Sequence, residues 1–275
     1  MPELPEVETI CRALRPHLVG RYLRGVRTFV EALRQPLDRR ALVSLVGRRI
    51  VAVRRRAKFL LVEFTDRRLL LMHLGMSGSC RICPDNAPRR KHEHIIWELD
   101  NGQTWRYGDP RRFGLVQVQV IRKRGALPSC LCGLPPEPLS RGFNGAYLAS
   151  ICRGRSRPIK SVLLDQTLVA GVGNIYASEA LHRAGISPVR RAATLSREEC
   201  ARLAHAIRTT LRQAIAAGGT TIADFRSADG SPGGFQVKLF VYGREGEPCR
   251  RCRRGRIRRL VLSSRSTYYC PDCQR

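Results

Sequence analysis

Four cysteines near the end of the chain constrain its fold more than any other feature. Two residues separate Cys249 from Cys252, 17 residues follow, and Cys270 and Cys273 repeat the pair. This spacing predicts one Zn²⁺ held by four thiolates on a β-hairpin, with a redox pair as the alternative. Because protein ligands would fill all four positions, we expect a structural zinc that keeps a small C-terminal module folded.

The charge of the chain indicates the kind of partner it binds. Its 275 residues include 50 lysines and arginines against 22 acidic residues, which gives a formal net charge of +28. A folded protein this basic is expected to bind a polyanion, with nucleic acid as the first candidate and an anionic membrane surface as the weaker one.

The same composition bears on the cellular location. No run approaches the roughly 20 apolar residues of a membrane-spanning helix, and the acidic start differs from a signal or transit peptide. The 11 cysteines, an odd number, argue against a disulfide framework. We therefore expect a cytoplasmic protein with access to the nucleoid.

The hydropathy pattern predicts a strand-rich first half and a helical second half. Six apolar runs with strand-like spacing indicate a β-sandwich or barrel; they are Arg49–Val53, Phe59–Phe64, Leu69–Leu74, Ile95–Leu99, Thr104–Tyr107 and Leu115–Ile121. A proline-rich stretch at 128–138 predicts the link to a second unit. Beyond it, Ser196 and Glu199 have the spacing of a capping box at a helix start. Asn174–Ala184, entered through two glycines, predicts another helix.

The first residues of the chain suggest reactive chemistry. Removal of Met1 would leave Pro2 as a terminal secondary amine, which should titrate near the α-amino reference value of roughly 8. Its unprotonated form can attack an electrophilic carbon and form an iminium adduct. Glu3 is adjacent and can move a proton. The alternative is an ordinary helix start, since Pro5 suits a first turn; the two interpretations are compatible, because a helix can hold the amine in place.

Two further stretches are typical of proteins that distort a duplex. Asp109–Gly114 combines arginines with an aromatic residue in a turn, and Met76 lies on a short glycine loop. Apolar side chains can wedge between bases, while arginine contacts the base that is left without its pairing partner. The alternative for Phe113 and Met76 is core packing. The arginines between the cysteine pairs favour phosphate contact, with a solvated charged face as their alternative.

Together these stretches resemble the bacterial formamidopyrimidine-DNA glycosylases, bifunctional repair enzymes that excise oxidised purines. The matching segments, in the family's order, are Pro2–Thr9, Arg55–Lys58, His73–Gly78, Asp109–Gly114, Gly171–Glu179 and Tyr242–Arg244, followed by the cysteine pairs. They span nearly the whole chain. The opening peptide and the arginine–phenylalanine turn separate this family from its endonuclease VIII-like relatives.

The resemblance implies catalytic roles for four residues. By this likeness Pro2 is the nucleophile that attacks C1′ of the damaged nucleotide, and Glu3 is the acid that protonates the opening sugar. Lys58 resembles the residue that assists β-elimination, and Arg265 the one that assists δ-elimination.

The resemblance also implies a set of DNA contacts. Met76, Arg111 and Phe113 would fill the gap behind a flipped base, with Arg111 facing the orphaned cytosine. The remaining contacts implied are His92, Arg155, Lys160 and Asn174, the last two as phosphate ligands. A loop at 227–236 would close over the lesion, and its Gly233-Gly234 pair departs from some relatives. Extra glycine costs entropy on ordering, so a difference in lesion affinity or lesion preference is expected.

The expected fold is α+β, with an N-terminal β-sandwich led by an α-helix, a helix-two-turn-helix domain and a C-terminal zinc-ribbon β-hairpin. The expected domains are 1–133, 134–226 and 227–275. The expected enzyme is a monomeric DNA glycosylase and lyase of base excision repair, acting on double-stranded DNA with oxidised purines and carrying one structural zinc. Two alternatives stay open here: a non-enzymatic zinc-ribbon protein that binds nucleic acid, and a relative that prefers oxidised pyrimidines.

Overall fold

The structure, a computed structural model, describes residues 2–220 and 239–275, and it divides into two compact units. Among these residues, the first unit contains 2–133 and 217–220, and the second contains 134–216 and 239–275. The predicted three-domain division stays a prediction, because its boundary at 226/227 lies outside the described residues.

The described part of the first unit is built from eight strands and three helices. The strands are β1 (Leu23–Thr28), β2 (Ile50–Arg56), β3 (Phe59–Phe64), β4 (Arg68–His73), β5 (Ser79–Pro84), β6 (Glu93–Leu99), β7 (Gln103–Gly108) and β8 (Leu115–Val120). The helices are α1 (Leu4–Leu18), α2 (Arg39–Val43) and α3 (Ser129–Cys132). The strands form two four-stranded antiparallel sheets, ordered β1-β6-β7-β5 and β2-β3-β4-β8.

One apolar core fills the first unit. It takes Val7, Ile10 and Leu14 from α1 together with inward residues of both sheets. Trp97 and Trp105 face each other across β6 and β7, and their rings stack with centroids 4.2 Å apart. Burying side chains of this size stabilises a fold by about 1.5–3 kcal/mol each.

The six predicted strands are confirmed, and β1 and β5 are the two that the sequence did not predict. In β1 only Leu23 is fully buried, and glycine and two arginines break the apolar alternation. In β5 only Cys80 and Cys83 are buried. Both strands lie at the edges of one sheet, where a weak apolar pattern suffices because one side has no neighbouring strand.

In the residues that the structure describes, the second unit consists of four helices, a short 3-10 helix and one hairpin. The elements are α4 (Gly145–Cys152), α5 (Ile159–Leu164), α6 (Asn174–Ala184), the 3-10 helix (Ala192–Thr194), α7 (Arg197–Ala216), β9 (Arg258–Leu262) and β10 (Arg265–Tyr269). The predicted helix 174–184 is confirmed. At the start of α7 the Ser196 N–H donates to Glu199 Oε2 at 2.8 Å, and the Glu199 N–H donates to Ser196 Oγ at 3.2 Å. This reciprocal pair is the predicted capping box.

A tight turn joins β9 to β10. Ser263 and Ser264 have φ angles of 48° and 59°, the positive values that a two-residue type I′ turn requires. Arg265 therefore begins β10 at the tip of the hairpin, where it pairs with Leu262. Among the described residues, no helix has the length and apolar character needed to cross a bilayer.

Candidate active site and zinc site

The start of α1 is anchored by one buried carboxylate. Pro2 and Glu3 are buried, and α1 begins directly after Glu3. The Glu3 N–H donates to Glu6 Oε2 at 2.9 Å. The other oxygen of Glu6 accepts from the N–H and the hydroxyl of Thr220, at 2.9 and 3.0 Å. These bonds restrain the backbone that carries Pro2. The helix start is confirmed, and the nucleophilic role of Pro2 stays a prediction.

The turn that carries Lys58 is connected to the first turns of α1. It follows Ala57, which has a φ of 51°, in the turn between β2 and β3, and only 6% of its surface is exposed. Arg55 connects this turn to the helix: its Nε donates to Glu8 at 2.9 Å, and its Nη1 donates to the Ala57 carbonyl at 2.9 Å. A buried ammonium thus lies in a turn attached to the first turns of α1. The assistance of Lys58 in β-elimination stays a prediction.

A histidine next to Lys58 shows how strongly this region disfavours an additional proton. His73 lies opposite Phe59 in the next strand. Burial, with the charges of Lys58 and Arg34, lowers the pKa of His73 to about 4. Its Nδ1 accepts the Gly75 N–H at 3.1 Å, which fixes the ring at the start of the Met76 loop.

The structure brings the three predicted wedge residues together. A side-chain carbon on Gly75 would lie 2.5 Å from the backbone carbon of Phe113, so the loops carrying Met76 and Phe113 are in backbone contact. The Phe113 side chain is 46% exposed, and the Arg111 guanidinium lies over its ring at 4.9 Å. Core packing therefore does not account for Phe113. Met76 is half-buried.

Asp109 organises these loops, a role that sequence reasoning missed. Its buried carboxylate accepts from the Ser77 hydroxyl at 2.7 Å, the Gly114 N–H at 2.8 Å and the Tyr107 hydroxyl at 3.1 Å. Ser77 in turn accepts the Arg111 N–H at 3.2 Å. The available signal was an acidic residue placed before a turn whose other polar residues are cationic.

His92 is held next to this turn in a strained backbone conformation. Its φ is 68°, and its carbonyl accepts the Asp109 N–H at 3.0 Å. The neighbouring Glu93 binds the guanidinium groups of Arg81 and Arg106. Burial alone would raise the pKa of Glu93, but the Arg90 backbone N–H, which donates to it at 2.9 Å, and the two guanidinium groups lower it. The backbone that carries the half-buried His92 ring is thus held in place, and the DNA contact of His92 stays a prediction.

In the second unit, two predicted phosphate ligands bind the hairpin backbone. The Lys160 Nζ donates to the Ser266 carbonyl at 3.2 Å and to the Thr267 hydroxyl at 2.8 Å, and the residue has no exposed surface. The Asn174 Nδ2 donates to the same carbonyl at 2.9 Å and to the Tyr242 hydroxyl at 3.3 Å. Both residues therefore fix the hairpin immediately after Arg265. Their phosphate contacts stay predictions.

Arg265 and Arg155 have more solvent access. Arg265 is exposed at the hairpin tip, and Arg155 is half-buried with its Nε donating to the Ile151 carbonyl at 2.6 Å. The predicted lesion loop at 227–236, with Gly233-Gly234, lies outside the described residues.

Glu179 is a second residue that sequence reasoning missed. Its buried carboxylate accepts the backbone N–H groups of Phe240, Val241 and Tyr242 at 2.8, 2.9 and 2.9 Å. Burial raises the pKa of Glu179, although these three donors favour the carboxylate. A glutamate in an otherwise apolar stretch of α6 was the available signal. It fixes the segment that leads into the cysteine pairs.

The four cysteines converge as their spacing predicts. The Sγ atoms of Cys249, Cys252, Cys270 and Cys273 all lie within 4.8 Å of one another. Backbone N–H groups point at two of the sulfurs, from Arg251 to Cys249 at 3.4 Å and from Gly255 to Cys252 at 3.3 Å. The Gly255 N–H lowers the pKa of Cys252 to about 6. Four clustered sulfurs with amide donors fit one tetrahedral Zn²⁺ bound by thiolates.

Comparison with known protein families covers most of the chain. Residues 1–116 match the formamidopyrimidine-DNA glycosylase N-terminal domain, and 134–226 match the H2TH domain of the same enzymes. Residues 246–275 match the zinc finger found in FPG and IleRS.

Comparison with individual proteins gives the same result over the full length. The chain is 49% identical to the formamidopyrimidine-DNA glycosylase of Stenotrophomonas maltophilia (strain R551-3) and 48% identical to that of Xanthomonas campestris pv. campestris, with all of each chain covered. Among solved structures it resembles the MutM (Fpg) protein of Thermus thermophilus, with 43% identity and a TM-score of 0.86 over 99% of this chain and 98% of that one. A Lactococcus lactis Fpg variant in complex with Fapy-dG-containing DNA matches with 34% identity and a TM-score of 0.88 over all of both chains.

A β-sandwich led by a proline–glutamate helix start, an H2TH unit and a four-cysteine zinc hairpin define a DNA glycosylase of base excision repair. The chain belongs to the formamidopyrimidine-DNA glycosylase family.

Proposed function

We propose that this enzyme excises oxidised purines, such as 8-oxoguanine and formamidopyrimidines, from duplex DNA and then cleaves the strand as a lyase. The observation that carries the proposal is the buried Pro2–Glu3 pair, restrained through Glu6. The turn that carries the buried Lys58 is connected to α1 through Arg55 and Glu8. Removal of Met1 makes the Pro2 nitrogen a free secondary amine.

In the first step, the bond from C1′ to the damaged base is replaced by a bond from C1′ to the Pro2 nitrogen. The lone pair of the Pro2 nitrogen attacks C1′, and the base leaves with the bond electrons and takes up the proton that the Pro2 nitrogen gives up. Glu3 supplies a proton to the sugar oxygen as the ring opens, which leaves an iminium between C1′ and the Pro2 nitrogen. The backbone bond from Glu3 to Glu6 supports this role, since it restrains Glu3 beside the amine.

Strand cleavage follows from the iminium. Its positive charge acidifies the C2′ hydrogen, and loss of that proton expels the 3′ phosphate by β-elimination. A second elimination then expels the 5′ phosphate. Lys58 is proposed to assist the first elimination and Arg265 the second; the buried ammonium and the exposed hairpin-tip guanidinium support these assignments.

Access to C1′ requires extrusion of the damaged nucleotide, which costs a few kcal/mol of unstacking. The exposed Phe113 with Arg111 over its ring, and Met76 in the adjoining loop, support a wedge that offsets this cost. The net charge of +28 supports binding to the phosphate backbone, with His92, Arg155 and Asn174 among the proposed contacts. Lys160 is the fourth proposed contact; it has no exposed surface in the free protein, so it can reach a phosphate only if the hairpin at Ser266 and Thr267 shifts on binding. A double-stranded substrate of this kind implies action on nucleoid DNA in the cytoplasm.

Reductive trapping tests the nucleophile. Protein verified by intact mass to begin at Pro2 should form a covalent adduct with 8-oxoguanine duplex in borohydride. Pro2→Gly should lose most of the base excision activity while DNA binding survives, and Pro36→Gly, at an exposed position, should trap normally. Excision without any trapped adduct would contradict the proposal.

Two further measurements test the substrate and the assembly. Comparing 8-oxoguanine with thymine glycol in the same duplex should show faster excision of the purine, and the reverse order would favour a pyrimidine enzyme. Light scattering should give the monomer mass of 31.0 kDa, because one chain carries Pro2, Glu3 and Lys58.

A further inference from the structure

A histidine outside the cysteine pattern contacts one of the zinc thiolates. His182 lies in the last turn of α6, and its Nε2 is 3.4 Å from Cys249 Sγ. The histidine is 2% exposed and the cysteine is fully buried. The contact is therefore shielded from water, so neither group can exchange this hydrogen bond for one to a water molecule.

The chemistry of the site determines which group donates. A cysteine that binds zinc is a thiolate, which has no proton and can only accept. The ring must therefore present Nε2–H to the sulfur. The four clustered sulfurs already supply the four ligands that a structural zinc takes, so the ring nitrogen is not needed as a fifth ligand. An N–H donor draws electron density from a thiolate and orients it, as outer partners of metal ligands do.

The surrounding contacts fix this ring in place. It stacks on Phe240 with centroids 5.7 Å apart and planes inclined by 28°. The Arg251 Nη1 donates to the His182 carbonyl at 3.1 Å, and the Arg251 N–H donates to the same Cys249 sulfur. Glu179, three residues earlier on α6, holds the Phe240 N–H. Helix α6 thus contacts both the segment before the cysteines, through Glu179, and the first cysteine itself, through His182.

We infer that His182 is a positioning residue of the zinc site, which donates a hydrogen bond from Nε2 to the Cys249 thiolate and thereby retains the metal. Its role is distinct from that of the four ligands. It connects the metal to the helix whose first residue, Asn174, holds the hairpin at Ser266.

Metal retention in the full-length protein tests the inference. His182→Phe keeps an aromatic ring to stack on Phe240 but removes the donor. Zinc release to a chromogenic chelator should become about 10-fold faster, the lower end of the effect expected for lost outer partners. His182→Gln, which restores an N–H donor, should recover part of the difference. His205→Phe, on the exposed face of α7, should release zinc at the wild-type rate. Equal release from His182→Phe and wild type would overturn the inference.

The Co²⁺-substituted proteins separate a hydrogen bond from simple packing. Loss of the donor should leave a more electron-rich sulfur, so the sulfur-to-cobalt charge-transfer band of His182→Phe should move to lower energy. The ligand-field bands should keep the pattern of four thiolates. A changed number of thiolates would show that the ring is itself a ligand, and an unmoved charge-transfer band would show that it only packs; either result contradicts the inference.

A third test uses only the wild-type protein, so its result does not depend on whether a variant folds. With ¹¹³Cd in the zinc site, the ring proton on His182 Nε2 should show scalar coupling to the metal through the Cys249 sulfur. A well-resolved ring proton without that coupling would overturn the inference, whatever the variants do.

Discussion

The carboxylate of Glu6 binds Thr220 twice, through the backbone N–H at 2.9 Å and the hydroxyl at 3.0 Å, across a separation of 214 residues. Its second oxygen accepts the Glu3 N–H at 2.9 Å. One buried side chain therefore joins the start of the chain to the segment that follows α7. The position of Pro2 depends on this connection, because Glu3 is the residue next to it.

Glu6→Ala should lower the free energy of unfolding by about 2–4 kcal/mol, because it leaves three buried donors without their acceptor. Single-turnover trapping on 8-oxoguanine duplex should slow as well, since Glu3 and Pro2 lose their restraint. Denaturant unfolding and borohydride trapping measure the two effects.

Glu6→Gln is the matched control for that change. Its amide oxygen can still accept from Thr220, while its NH₂ group faces the Glu3 N–H and cannot accept from it. Most of the stability should return, but the trapping rate should stay low. If both variants trap at the wild-type rate, the restraint has no part in the chemistry.

Local signals in the sequence were enough to predict much of this fold. The capping box at Ser196, the strand Phe59–Phe64 and the two cysteine pairs depend on residues close together in the chain, and the structure has all of them. Edge strand β1 was missed because its arginines and glycine interrupt the alternation of apolar and polar residues that marks a strand in the sequence. Pairing with β6 forms the strand nevertheless.

The remaining parts of the site depend on contacts between distant residues, which periodicity does not encode. No local pattern indicates that Glu6 meets Thr220, or that Lys160 lies fully buried against Thr267. Glutamate, aspartate and lysine are usually surface residues, so Glu179 and Asp109 drew no attention as buried anchors. Their roles follow only from the chain's three-dimensional arrangement.

Gly75→Ala should displace the wedge loops. The new carbon would lie 2.5 Å from the Phe113 backbone carbon, and the φ of +62° is itself unfavourable for alanine. We expect weaker binding to lesion duplex by about tenfold or more, the equivalent of about 1.4 kcal/mol, measured by fluorescence anisotropy.

Gly102→Ala separates backbone strain from the steric clash. Gly102 has a φ of +75°, but a side-chain carbon there would meet nothing within 4 Å. This variant should lose roughly 1–2 kcal/mol of stability and bind lesion duplex like the wild type. Equal loss of binding in both variants would show that the Gly75–Phe113 contact does not set the wedge.

His73 should make the stability of the free protein depend on pH between about 4 and 6.5. Its pKa is about 4 in the folded chain and about 6.5 in an unfolded one, so in this range the unfolded state binds more protons. Stability is therefore complete above about pH 6.5 and falls as the pH drops towards 4, by at most about 1.4 kcal/mol per pH unit.

Thermal melting of His73→Asn across this range tests the assignment. The asparagine oxygen can still accept the Gly75 N–H, but the side chain does not titrate, so the fall in stability should be shallower than in the wild type. His17→Asn, at an exposed position of α1, should follow the wild-type curve. Parallel curves for all three proteins would mean that other groups produce the pH dependence.

Removing zinc should weaken DNA binding without unfolding the β-sandwich. The apolar cluster of the hairpin module is small and itself includes Cys249 and Cys270, so the metal supplies most of its stability. The core of the sandwich is formed by other residues of the first unit. The two tryptophans of the chain, Trp97 and Trp105, both lie in that core, so their fluorescence reports on the sandwich alone.

After chelation, with metal loss confirmed by elemental analysis, tryptophan emission should be unchanged while affinity for lesion duplex falls. Cys249→Ser should give the same pair of results without a chelator, and Cys130→Ser, at an exposed cysteine outside the zinc site, should leave both unchanged. A shift of tryptophan emission in step with zinc loss would show instead that the metal stabilises the whole chain.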